Sequence, residues 1–227
     1  MKDVGLKTVA VILAAGLSSR MGAFKPLLEI GGAPALARLL GSVREAGVER
    51  AFVVTGHRAG DVARLVADEG AGAPEGGAWR AEAVHNPGFE GGMFTSVQAG
   101  VRAAAEALGA RPGARAESDG EASGALLFPV DVPLVSAGTI CKVKAYAEAH
   151  PDRFAQPCFG GRNGHPLFIP AAYFEEILGY AGAGGLKAVR DAHADVLAKI
   201  ETDDEGCVLD MDTPEDLEAL RGYDRQR

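Results

Sequence analysis

Residues 9–25 read VAVILAAGLSSRMGAFK. The opening Val9-Ala10-Val11-Ile12-Leu13 is apolar and rich in β-branched side chains, the pattern of a strand buried on both faces. Side chains then shrink to Ala14, Ala15 and Gly16, with Ser18 and Ser19 close behind. Such a loop lets backbone N–H groups approach a ligand, and successive N–H groups in a turn make a nest for an anion. Arg20 and Lys25 follow, with Gly22 between them to let the chain turn. A strand that opens into a small-residue loop carrying Arg and Lys is suited to holding a triphosphate. The bland alternative is an ordinary strand-to-helix turn with two solvated cations. Neither common phosphate loop is present: Lys25 is followed by Pro26, which breaks GxxxxGK[ST], and GxGxxG is missing.

Working outward, Ala33 to Ala46 has apolar residues at helical spacing (Leu36, Leu39, Leu40, Val43) and stops at Gly47, a helix-ending residue. Before it, Pro26 to Ile30 reads as short and extended. Ala51 to Thr55 is a second buried strand, Asp61 to Asp68 a helix, and Ala81 to His85 a third strand. Turn-rich Asn86 to Gly92 leads into a helix running to about Leu108, for which Thr95 or Ser96 can serve as N-cap. Ala125 to Val130 is the most apolar strand, a helix starts near Ser136, Leu167 to Ile169 reads as a strand, and Gly184 opens another helix. This alternation predicts an α/β fold: three α/β/α layers around a mostly parallel, Rossmann-like sheet, in a single domain over residues 1–227. Such sheets bind ligands beyond the carboxyl ends of their strands, where the loop after Leu13 lies. Residues 70–80 and 109–124 lack apolar patterning and are expected to be flexible loops.

The bulk numbers narrow the function. Of 227 residues, 47% are hydrophobic and 24% charged, enough apolar material for a sizeable core. No apolar run approaches the ~20 residues that span a bilayer. The first residues lack the pattern of a signal peptide, so a cytoplasmic protein without a membrane partner is expected. Cys141, Cys158 and Cys207 are dispersed and form no CxxC pair, which reads as buried free thiols. The net charge of −8 argues against a nucleic-acid surface. It also means that an anionic substrate must be met by local cations, the use expected of Arg20 and Lys25.

Acidic residues stand out in two places. Asp131 ends the most apolar strand and precedes Val132-Pro133. Burying a carboxylate there costs several kcal/mol unless it is paired or bound to metal. Capping of the next helix is the alternative, but Ser136 can fill that role, so metal ligation is favoured for Asp131. Asp210 and Asp212 alternate in VLDMDTPEDL and on an extended segment face the same way. A helix cap explains Asp212 to Glu215, with Pro214 in the first turn, but leaves Asp210 unexplained.

The order of residues adds a resemblance. Leu13, Ala14, Ala15, Gly16, Ser18, Arg20, Met21, Gly22 and Lys25 match LAAGxSxRMGxxK without a gap. That loop resembles the signature of small nucleotidyltransferases, most closely the molybdenum cofactor cytidylyltransferases, whose fold is of the nucleotide-diphospho-sugar transferase type. NPxxxxGMxxSVxAG, starting at Asn86, resembles the loop that closes over the nucleotide in that family. Asp131-Val132-Pro133 is similar to its Asp-x-Pro metal site, although members often carry Gly or Cys where Val130 stands. Asp210 to Leu217 resembles its [DN]-x-[DN]-T-P-E-D-L ending, and Gly161 to Pro166 its GxxGHP segment.

The resemblance implies nucleotide contacts from Leu13, Ala14, Ala15, Gly16, Ser18, Ser19, Arg20, Lys25, Gly92 and Ser96. It implies catalytic roles for Arg20, Lys25 and Asp131, Mg²⁺ held by Asp131 and Asp212 with Asp210, and acceptor contacts from Arg162 and His165. The implied reaction moves CMP from CTP to the terminal phosphate of a phosphorylated pterin, molybdopterin, with release of pyrophosphate. A client molybdoenzyme is the implied protein partner. The Ala15 methyl, where guanosine enzymes of the family carry glycine, is expected to leave less room for a purine. Two alternatives stay open: a cytidylyl-, uridylyl- or guanylyltransferase acting on another phosphorylated acceptor such as a sugar phosphate, and a non-catalytic carrier of the finished cofactor.

Overall fold

Alternate residues of the first strand, Lys7–Leu13 (β1), feed two separate cores. Ala10 and Ile12 point to one side of the sheet, and Val9, Val11 and Leu13 to the other. An unbroken apolar run has this consequence when both faces of a strand are covered. A computed structural model of the chain describes residues 7–71, 78–109 and 123–226.

After β1, a two-residue ribbon of Glu29–Ile30 (β2) and Ala33–Pro34 (β3) leads into helix Ala35–Glu45 (α1). Strand Arg50–Thr55 (β4), helix Ala59–Ala71 (α2), strand Arg80–His85 (β5) and helix Met93–Leu108 (α3) complete the first half. The second half runs Ser123–Pro129 (β6), Ala137–Ala149 (α4), Phe154–Phe159 (β7), Arg162–Asn163 (β8), Leu167–Pro170 (β9), Phe174–Gly179 (α5), Gly185–Ala192 (α6), Leu197–Glu201 (β10) and Pro214–Gln226 (α7).

The main sheet has the order β10-β7-β9-β6-β1-β4-β5, with β8 attached to β7. β1 lies parallel to both β4 and β6, β4 to β5, and β7 to β10, whereas β9 runs antiparallel between β6 and β7. α1, α2 and α4 pack on one face; α3, α5 and α6 pack on the other. The expected three-layer, mostly parallel architecture is what forms. The chain leaves β1 for β4 and β5 and then returns to β6 on the far side of β1. That reversal opens a crevice at the carboxyl ends of β1 and β6, where open α/β sheets take their ligands.

Glycines permit close approach at several places, two of them within the packed layers. A Cβ on Gly100 would lie 2.3 Å from Val11 Cγ1, so α3 reaches the sheet only because residue 100 has no side chain. Gly124, expected in a flexible loop, instead pairs within β6, and a Cβ there would meet the Phe168 ring at 2.4 Å. Differences from the expected elements are small. Lys25–Leu27 is a single helical turn, not extended, because Pro26 suits a first-turn position. α2 extends to Ala71, and Trp79 is buried in the core beside it, so only residues 72–77 of the first expected loop lie outside the described residues, as do 110–122 of the second. Cys158 and Cys207 are buried free thiols as expected, but Cys141 is exposed. Among the described residues no helix is long and apolar enough to cross a membrane.

Candidate active site

The loop after β1 is shaped by its serine. Ser18 adopts a left-handed conformation with φ 56°. Its carbonyl accepts from Met21 N at 3.1 Å, and its Oγ accepts from Lys25 N, also at 3.1 Å. The turn therefore closes on itself and fixes the backbone of Lys25. At the root of the loop, Ala14 N donates to Val54 O and Val130 N donates to Leu13 O, so strand-like pairing continues to both sides.

The acidic side is fixed by a backbone bond. Met211 N donates to the carbonyl of Asp131 at 2.8 Å, which ties the segment before α7 to the end of β6. Thr213 and Asp216 form a capping box: Asp216 Oδ2 accepts from Thr213 N at 2.8 Å, and Thr213 Oγ1 accepts from Asp216 N at 3.3 Å. Asp216 Oδ2 also takes Thr213 Oγ1 at 2.9 Å and Asp212 N at 3.1 Å, and these bonds, that from the Thr213 hydroxyl first, hold the Asp216 carboxyl below its ordinary 3.8. The helix is capped by other residues, so the Asp212 side chain is left for another task. Capping of α4 likewise falls to Ser136, whose Oγ accepts from Thr139 N at 3.1 Å, not to Asp131.

These supports bring cations and carboxylates together. Lys25 Nζ lies 2.6 Å from Asp212 Oδ1 and 3.4 Å from Asp131 Oδ2, and Arg20 Nη1 lies 2.8 Å from Asp212 Oδ2. The Lys25 side chain is 12% exposed, that of Arg20 73%. Burial raises the Asp131 carboxyl above 3.8, and the Lys25 ammonium pulls it back by less. Asp212 goes the other way, held below 3.8 chiefly by the hydrogen bond from Lys25.

The group lines a cleft of about 380 Å³. Leu13, Ala14, Ala15, Gly16, Ser18, Ser19, Arg20, Lys25, Gly92, Ser96, Asp131 and Asp212, all singled out in the sequence, face it together. Ser96 is not the N-cap of α3. Gly92 takes that position at φ 102°, and Ser96 Oγ accepts from the buried Asn86 Nδ2 at 3.0 Å, joining the loop after β5 to α3. Sequence reasoning did not single out Leu17, Phe89, Glu90 or Met93, which also line the cleft. Leu17 and Met93 are the exposed large hydrophobic residues among those described, a signal that appears only once the fold buries the rest.

Asp210, Arg162 and His165 do not join this cleft. Asp210 is exposed and lines a neighbouring hollow with Arg162, whose Nη2 donates to Val208 O at 2.9 Å. The segment around Asp210 forms no strand, so the alternation that would align it with Asp212 does not hold. His165 N donates to Cys207 O at 2.9 Å, and burial lowers its imidazole to about 4. Its Nδ1 is buried with no partner among the described residues, and with a pKa of about 4 the ring is uncharged at neutral pH. Among the described residues, no three His, Cys, Asp or Glu side chains form a ready metal cage. Two adjacent carboxylates are nevertheless a donor set that suits hydrated Mg²⁺, which keeps waters and takes its remaining oxygens from substrate phosphates.

The MobA-like NTP transferase domain model matches residues 10–196. Among solved structures, the fold is similar to a nucleotidyl transferase from Methanothermobacter thermautotroptrophicus, with 22% identity, 98% of this chain and 99% of that one covered, and TM-score 0.73. Rv0371C of Mycobacterium tuberculosis, solved in complex with manganese, shares 20% identity over 96% of this chain and 99% of that one, with TM-score 0.62. The 4-diphosphocytidyl-2C-methyl-D-erythritol synthase of Anaerococcus prevotii shares 14% identity over 99% and 100%, with TM-score 0.69. No curated protein sequence gives a significant match. The structural likenesses show the fold; the domain match covers most of the sequence, and the chain belongs to the MobA-like NTP transferase domain family and is a nucleotidyltransferase.

Proposed function

We propose that the enzyme transfers CMP from CTP to the terminal phosphate of molybdopterin, in the presence of Mg²⁺, and releases pyrophosphate. The observation that carries the transferase part is Lys25, placed between Asp131 and Asp212 in the cleft beside the small-residue loop. A terminal phosphate is already largely ionised at pH 7, its second pKa being near 6, so the reaction needs no strong general base. Its difficulty is to bring two polyanions together, and positioning and charge neutralisation carry it. Lys25 and Arg20 neutralise the departing phosphates, while N–H groups from Ala15 to Ser19 orient them. Asp131 and Asp212 would hold a Mg²⁺ ion, which would supply further neutralisation of phosphate charge.

CTP is proposed over GTP because Ala15 lines the cleft and its methyl group leaves less room for a purine than glycine would. The pterin acceptor rests on resemblance in the GxxGHP and TPEDL segments. Arg162 is an exposed cation on that side, and the uncharged His165 follows it three residues along the same segment. A client molybdoenzyme is the proposed recipient of the product. The test is pyrophosphate release from a panel of nucleoside triphosphates with molybdopterin and sugar phosphates. Turnover with a sugar phosphate but not with molybdopterin would replace the acceptor while leaving the transferase mechanism in place.

A further inference from the structure

We propose that the free enzyme holds its phosphate-binding cations and its metal-binding carboxylates in a mutual lock, so that nucleotide and divalent cation each release the groups the other needs. This rests on the reading of the cleft given above and adds the regulation of that site. Two cations, Arg20 and Lys25, face two carboxylates, Asp131 and Asp212, so the cluster is formally neutral within a chain of net charge −8. A polyanion arriving alone meets no net attraction there. A divalent cation arriving alone finds Asp212 occupied on both oxygens, by Lys25 at 2.6 Å and Arg20 at 2.8 Å.

Either ligand must break the same ion pairs. Once phosphates take Lys25 and Arg20, the carboxylates are uncovered and attract the metal; once metal takes the carboxylates, the cations are free for phosphate. Linkage makes the effect reciprocal, each ligand tightening the other by the same factor. Release of the cations is separate from chelation of metal by triphosphate in solution, because it is read in a comparison of variants made without metal.

Asp212 is the main bolt, since Asp131 offers Lys25 one oxygen at the longer 3.4 Å. The backbone beneath the lock does not depend on the Asp212 side chain. Met211 N is held by Asp131 O, Asp212 N by Asp216, and Lys25 N by Ser18. Asp212→Asn should therefore unlock the cations without moving them.

The test is calorimetric titration of inorganic pyrophosphate into wild type and Asp212→Asn, both in excess chelator. The expected result is binding on the order of 10-fold tighter in the variant, within the usual range of coupling between sites. Mn²⁺ alone should bind the variant more weakly than wild type, and Lys25→Met added to Asp212→Asn should erase the pyrophosphate gain. Equal or weaker pyrophosphate binding by a folded Asp212→Asn overturns the lock. Should that variant fail to fold, Asp131→Asn takes its place with a smaller expected gain, and no gain there overturns the lock equally. Failure of wild type to bind CTP even with Mg²⁺ present would instead count against the nucleotide reading, while the pyrophosphate comparison still decides the lock.

Discussion

Lys25 and Arg20 carry the same charge into the same cleft, yet their surroundings predict unequal contributions. The Lys25 side chain is 12% exposed and hemmed in by the loop that Ser18 closes. At an effective dielectric of about 20, a unit charge developing ~4 Å from its ammonium is stabilised by about 4 kcal/mol. Water entering the space left by a methionine would return about 1 kcal/mol of that, the strength of the same interaction in bulk solvent. The net loss of about 3 kcal/mol predicts a fall on the order of 10²-fold for Lys25→Met. Arg20, 73% exposed, acts through near-bulk solvent, where the same interaction is worth about 1 kcal/mol, or roughly 5-fold. The charge on the leaving phosphates grows in the transition state, so the Lys25 loss should appear mainly in kcat and not in KM. The assay is steady-state pyrophosphate release by both variants with CTP, molybdopterin and Mg²⁺. A loss below about 10-fold for Lys25→Met, or an Arg20→Met loss equal to it, would refute this reasoning.

Asp131→Asn separates stability from turnover. Burial makes the ionised Asp131 unfavourable in the folded state, so the amide should leave the melting temperature unchanged or higher while pyrophosphate release drops by on the order of 10²-fold or more; thermal denaturation at pH 7 and the same assay check both halves. His165 has a folded-state pKa of about 4 against an ordinary 6.5, so the unfolded chain binds its proton first and stability falls as pH drops from 6.5 towards 4. The full loss is about 3 kcal/mol, and His165→Asn should flatten that part of the denaturation profile; an unchanged profile would show that the imidazole is not held neutral by the fold. Ala15→Gly should weaken the preference for CTP over GTP in competitive turnover, and a strong GTP preference in wild type would reject the proposed role of the methyl group.

Local chemistry made the nucleotide side of the cleft readable in advance. The switch from β-branched residues to Ala14, Ala15 and Gly16 marks the end of β1, and Ser18, Arg20 and Lys25 lie within one loop, so their proximity follows from chain connectivity. The carboxylates were legible as residue types, but not as a pair. Asp131 and Asp212 meet through the Met211 N–Asp131 O bond, a long-range backbone contact with no signature of its own. Asp210 stands outside the cleft because the segment around it forms no strand, so alternation does not align it with Asp212. His165 was legible as part of a motif but not as a neutral ring, since its surroundings include Cys207, which is distant in sequence and reached through the His165 N–Cys207 O bond.

The fold followed the same divide. Strands with continuous apolar runs, β1, β4 and β6, were readable. β7 was not, because Gln156 and Pro157 interrupt its pattern, and β10 was not, because it lies at the sheet edge with only partly buried residues. Gly160 and Gly161, both at positive φ, mark the turn between β7 and β8, a glycine pair that the sequence shows on its own.

The most direct test of the account is metal-dependent pyrophosphate release from CTP and molybdopterin, measured side by side in wild type, Lys25→Met and Asp131→Asn. Turnover in wild type that requires a divalent cation and is lost on the order of 10²-fold in each variant is the predicted result. Wild-type turnover that is indifferent to both substitutions would contradict it.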